Sequence, residues 1–84
     1  MRDTLRSPRQ IKLRKLLRDL REKAGLTQAD VAARLDKPQS FVAKYEGGER
    51  RLSALEFIDI VRALGVEPIA AMRQLVKAID SDAS

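Results

Sequence analysis

The chain has 84 residues, 44% of them hydrophobic and 35% charged, with a formal net charge of +5. That size makes one domain, and the composition suits a small, highly charged helical globule rather than a disordered chain. Cysteine and histidine are both absent, which removes disulfides, thiolate chemistry, ordinary zinc sites and Ser-His or Cys-His nucleophiles. No catalytic residue, metal or cofactor is therefore expected. A carboxylate- or lysine-based enzyme remains formally open, but no constellation of residues supports it.

Only three residues are aromatic (Phe41, Tyr45 and Phe57) and β-branched runs are lacking, which disfavours a sheet. No apolar run is long enough to span a membrane, and the basic start lacks an apolar signal region. A cytoplasmic, nucleoid-associated location is expected. Residues 1–23 carry nine Lys/Arg against three Asp/Glu, whereas residues 53–84 carry three against five. A basic first third beside a mildly acidic last third suits a polyanion on one face and another partner elsewhere. A plain solvated helix face accounts for the same charges equally well.

Ser7-Pro8-Arg9-Gln10 starts the first helix: Ser7 can cap, Pro8 suits the first position and Gln10 can close a capping box. Ile11, Leu13, Leu16, Leu17, Leu20 and Ala24 form its apolar stripe, and Gly25 ends it. Thr27 caps a second helix, where Asp30 favours the positive helix end and Val31, Ala32 and Leu35 are buried. Asp36-Lys37-Pro38 breaks it, because Pro38 disfavours helical geometry at Lys37. A third helix over Gln39 to Glu46 buries Val42 and Tyr45 and stops at Gly47-Gly48. Ser53-Ala54-Leu55-Glu56 caps a fourth helix that buries Leu55, Ile58, Val61 and Leu64 and ends at Gly65. Pro68 opens a fifth, with Ile69, Met72, Val76 and Ile79 in a 3-4-3 step.

The expected architecture is all-α, a compact five-helix domain whose second and third helices form a helix-turn-helix. Residues 1–8 form a basic arm, 9–80 the domain with the helix-turn-helix at about 28–47, and 81–84 a frayed tail. No repeat, low-complexity segment or second domain is present, so no sensory domain is expected. Ala32 lets the second and third helices approach, and Val31, Leu35, Val42 and Tyr45 join them. The third helix is then a rigid rod of a size that fits the major groove.

Here the segment resembles the helix-turn-helix of the phage repressor and Cro family, the XRE-type regulators. The residues that carry the resemblance are Leu20-Arg21, Gly25-Leu26-Thr27-Gln28, Ala32, Leu35, Ser40, Val42, Tyr45-Glu46, Gly48, Arg50 and Leu55, within a stretch from about Leu13 to Val66. Two positions depart from the pattern: Asp36 stands where Gly is frequent, and Lys37 where an apolar residue is frequent.

The resemblance implies base readout by Gln39, Ser40, Ala43 and Lys44, with Gln39 suited to adenine, Ala43 to a thymine methyl and Lys44 to guanine or phosphate. Ser40 serves equally as a helix cap, and Lys44 as a solvated lysine. Thr27, Gln28, Arg21 and Arg51 are the phosphate candidates, with Gln28 also bracing Gln39. Arg21 and Glu46 form a structural pair, Tyr45 fills the core and Arg50 is structural. Phe41 is read as packing rather than touching DNA. Arg2, Arg6 and Arg9 on the arm either add sequence-independent contacts or are unordered.

Ile69, Met72, Leu75, Val76 and Ile79 are the candidate dimer interface, part of them packing on the fourth helix; burial within one core is the alternative. The implied function is a sequence-specific transcriptional regulator, a repressor by preference. It binds double-stranded DNA as a homodimer on a palindromic operator. A protein-interaction adaptor or antitoxin, whose main partner is a toxin or RNA polymerase, is the alternative.

Overall fold

The computed structural model describes residues 7–81. Arg2 and Arg6 of the arm and the last three residues of the tail lie outside them. The described chain is five helices: α1 (Pro8–Lys23), α2 (Gln28–Leu35), α3 (Gln39–Glu46), α4 (Ala54–Ala63) and α5 (Pro68–Ser81). No strand occurs among the described residues.

Local chemistry sets the helix ends. The Ser7 hydroxyl accepts from the Gln10 N–H at 3.2 Å, one half of the expected box. Thr27 with Asp30, and Ser53 with Glu56, form complete capping boxes, each side chain accepting from the other's backbone N–H. Asp30 thus does more than favour the positive end of α2. Its carboxyl is held below the ordinary value by the Thr27 N–H.

The first four helices all stop with the same paired turn. Leu26, Lys37, Glu49 and Val66 each donate a backbone N–H to the carbonyl five residues earlier. That turn needs one left-handed residue. Gly25, Gly48 and Gly65 supply it after α1, α3 and α4, and Asp36 after α2 at φ 56° and ψ 45°. Asp is one of the few side chains that tolerate this geometry, so the Gly-to-Asp departure leaves the turn intact.

The core gathers Leu17 and Leu20 of α1, Val31 and Ala32 of α2, Phe41, Val42 and Tyr45 of α3, Phe57, Ile60 and Val61 of α4 with Leu64 after it, and Ala71 of α5. On α1 the working stripe is 13, 16, 17 and 20, so Ile11 and Ala24 fall outside it and are exposed. On α4 the expectation for Leu55 fails: it is 73% exposed. The i, i+3, i+4, i+7 set that closes on the core is 57, 60, 61 and 64, and Leu55 projects from the opposite side. Ile58 is only half-buried.

Helix α5 packs on α1 as well as on α4, bringing the last helix back to the first. Its apolar stripe divides accordingly. Ala71 is buried and Leu75 and Ile79 are half-buried, whereas Ile69, Met72 and Val76 are exposed. These three, with Ala54, Phe57 and Ile58 of α4, line an apolar groove of about 860 Å³.

Candidate nucleic-acid interface

Helix α3 divides cleanly into two faces. Phe41, Val42 and Tyr45 are buried, while Gln39, Ser40, Ala43, Lys44 and Gly47 are exposed. Eight residues at 3.6 per turn place 39, 40, 43, 44 and 47 on one continuous outer surface. All four residues expected to read bases are therefore together and open to solvent. Ser40 is not the cap of α3; the residue before the helix is Pro38, which offers no side-chain cap.

What holds this face rigid is a buried polar knot at the far end of α3. Arg21 of α1 donates from Nε and Nη2 to the two Glu46 carboxylate oxygens at 2.7 and 3.0 Å, and from Nη1 to the Leu26 carbonyl at 2.9 Å. Only 13% of the Arg21 side chain and 5% of the Glu46 side chain are exposed. Hydrogen bonding to Glu46 raises the Arg21 pKa above its ordinary value, so the cation persists at any accessible pH.

Gln28 completes the knot. Its Nε2 donates to Glu46 Oε1 at 3.0 Å. The implied brace from Gln28 to Gln39 is thus replaced by one to Glu46, because that carboxylate still has acceptor capacity after binding Arg21. One charged residue ties α1, α2 and α3 together. Arg21 is accordingly turned inward, which fits its structural role better than its expected phosphate role. Thr27 is exposed and Gln28 half-exposed at the start of α2, beside the outer face of α3.

The opposite end of α3 is secured by Phe41. Its ring meets Tyr45 edge-on at 5.5 Å and 74°, and the Arg50 guanidinium lies 4.7 Å above its centroid. Lys37, the second departure from the family pattern, stands 5.5 Å from the same ring and adds a second cation over it. Arg50 also pairs with Glu56 at 2.9 Å and donates to the Arg51 carbonyl, so its guanidinium is engaged within the domain. The Arg50 hydrogen bond, followed by that from the Ser53 N–H, holds the Glu56 carboxyl below its ordinary value. Arg51, next in the loop, is exposed.

Three contacts escape sequence reading. Arg34 on α2 donates to the Ala63 carbonyl at 2.8 Å, capping the end of α4. Arg14 lies across the Gly48 backbone so closely that a Cβ there would stand 2.9 Å from its guanidinium carbon. Phe41 stacks under Arg50. Each joins residues that have no shared periodicity, so no local pattern signals them.

The helix-turn-helix family model matches residues 17–70. Among solved structures, an XRE-family like protein from Pseudomonas syringae pv. tomato is 46% identical, with 82% of this chain and 84% of that chain covered and a TM-score of 0.78. The restriction-modification controller protein C.AhdI from Aeromonas hydrophila is 31% identical, over 74% of this chain and 94% of its own, with a TM-score of 0.67. A point mutant of the controller protein C.Esp1396I is 25% identical, over 87% of this chain and 92% of its own, with a TM-score of 0.80. C.Esp1396I has also been solved as a tetramer in complex with its natural 35 base-pair operator. No curated protein sequence matches the chain.

Proposed function

From the chain's membership of the XRE-type helix-turn-helix family, we propose how this DNA-binding transcriptional regulator reads its site. Helix α3 enters the major groove with its outer face, Gln39 and Ser40 first, then Ala43 and Lys44. Gln39 makes paired hydrogen bonds to adenine, Ala43 packs on a thymine methyl, and Lys44 meets guanine or a phosphate. Thr27 and Gln28 at the start of α2, and Arg51 after α3, bind the backbone and fix the approach. The observation that carries this reading is the undivided exposed face of α3 above a polar knot that immobilises it.

The functional unit is a homodimer on a palindromic operator. The exposed Ile69, Met72 and Val76, set in the α4–α5 groove, form the shared surface, with the half-buried Leu75 and Ile79 on the same helix. Arg73, Lys77 and Asp80 border the groove, so a self-complementary contact has both charge signs available. Two copies then place two α3 helices in successive major grooves about one helical turn apart. Occupying such a site in the cytoplasm, at the nucleoid, blocks polymerase and represses. Among the described residues no helix is long and apolar enough to cross a membrane.

Selection of bound sequences from random double-stranded DNA tests the reading. The expected product is a two-fold symmetric site with half-sites about one turn apart. Recovery of unselected sequence, or no retained DNA, overturns it and favours a protein partner, a toxin or RNA polymerase, as the main ligand.

A further inference from the structure

Helix α1 presents a cation to the same surface, and it is not Arg21. Three of the Arg21 N–H groups are engaged inside the chain and the side chain is largely covered. Almost one turn earlier, Arg18 is exposed, at the rim of a notch of about 290 Å³ lined also by Arg21, Gln28, Ala43, Glu46 and Gly47. Three elements meet there: the middle of α1, the first residue of α2 and the outer face of α3.

The chemistry of the notch selects an anion. Glu46 at its wall is already neutralised by Arg21 and accepts from Gln28. Arg18 carries the exposed positive charge of the rim. Its carboxylate partner is Glu22 at 3.2 Å, one turn along α1, and both side chains are more than half exposed. Such a solvated pair is weak, so a doubly hydrogen-bonded phosphate competes well for the planar guanidinium. Ala43 and Gly47 keep the α3 wall of the notch low. On that side a backbone strand beside the groove entered by α3 meets only a methyl group and a glycine before the rim.

We propose that Arg18 binds a DNA backbone phosphate, exchanging Glu22 for it, and so makes α1 a third anchor beside the start of α2 and the Arg51 loop. The inference rests on the DNA-binding reading above. The test is a salt titration of the 84-residue chain on the selected operator and on mixed-sequence duplex, comparing Arg18→Gln, Glu22→Gln and, as an equal loss of charge on another face, Arg62→Gln.

Arg18→Gln is expected to weaken both duplexes several-fold and to reduce the log–log salt slope by about 0.9, the value of one phosphate contact on duplex DNA. Glu22→Gln is expected to strengthen both, because the competing carboxylate is gone, and Arg62→Gln is expected to leave the slope unchanged. An unchanged slope in Arg18→Gln with intact wild-type binding overturns the Arg18 assignment alone. Wild-type protein that shows no salt-dependent binding overturns the DNA-binding reading and this inference with it.

Discussion

Arg21, in the last turn of α1, grips both carboxylate oxygens of Glu46, the final residue of α3. The two lie 25 residues apart and are nearly covered, so the pair sets the angle at which α3 projects from the domain. Removing one partner leaves the other charge buried and unpaired. Glu46→Ala is expected to cost about 3 kcal/mol of folding stability, whereas Arg21→Met with Glu46→Leu recovers most of that loss. Urea denaturation of the three proteins checks it, and a near-neutral Glu46→Ala would show that the pair carries no structural load.

Gln39 and Arg51 are expected to fail in different ways. Gln39→Ala costs about 1–3 kcal/mol on the preferred operator and relaxes its specificity there, because base-edge hydrogen bonds are lost. Arg51→Ala weakens all sequences alike and flattens the salt slope. Binding isotherms on the operator and on single-base variants separate the two, and a sequence-selective loss in Arg51→Ala refutes its phosphate role.

The exposed side of α5 makes a prediction about assembly. Met72→Glu and Val76→Glu each place a charge in the apolar groove without touching the buried core. Both are expected to yield folded monomers by sedimentation, with helical content retained and operator affinity lowered. A dimer that survives both substitutions places the interface elsewhere.

Tyr45 supplies an internal probe of the core. It is the single tyrosine, the chain has no tryptophan, and it is 1% exposed. Burial pushes its hydroxyl above the ordinary value of 10.0. The unfolded chain therefore releases that proton first. The stability linked to the protonated phenol is whole below pH 10 and is lost as the pH rises towards the elevated native value. Tyrosinate absorbance is expected to appear together with the loss of helical dichroism in an alkaline titration. Ionisation well before unfolding would mean that the ring is wetter than its packing implies.

At the acidic end the signs reverse. Asp30 is held below its ordinary value of 3.8 by its capping hydrogen bonds with Thr27, and Glu56 below 4.5 by Arg50 first and then by the Ser53 N–H. Their contribution is complete above those values and disappears as the pH falls through the lowered native ones. Asp30→Asn with Glu56→Gln is expected to be less stable than wild type at neutral pH and to show a shallower acid transition. Equal acid sensitivity of the two proteins would remove the capping boxes as its cause.

The five helices, their order and the outer face of α3 are legible along the chain alone. These follow from cap residues, left-handed stops and helical periodicity, all of which act within a few positions along the chain. Even the departure at Asp36 is readable, because its tolerance of left-handed geometry is a local property. The same signals carry the family resemblance, with Arg21 and Glu46 already paired by it.

Contacts between helices answer what periodicity cannot. Which arc of an apolar helix meets a neighbour depends on where that neighbour lies, so Leu55 went to solvent and Phe57 and Ile60 to the core. The stripe of α5 divided for the same reason once that helix returned beside α1. Partner choice among polar groups was also a three-dimensional matter. Gln28 took Glu46 because Arg21 had brought that carboxylate within 3.0 Å of its amide, and burial of Arg21 left Arg18 as the exposed cation at the notch.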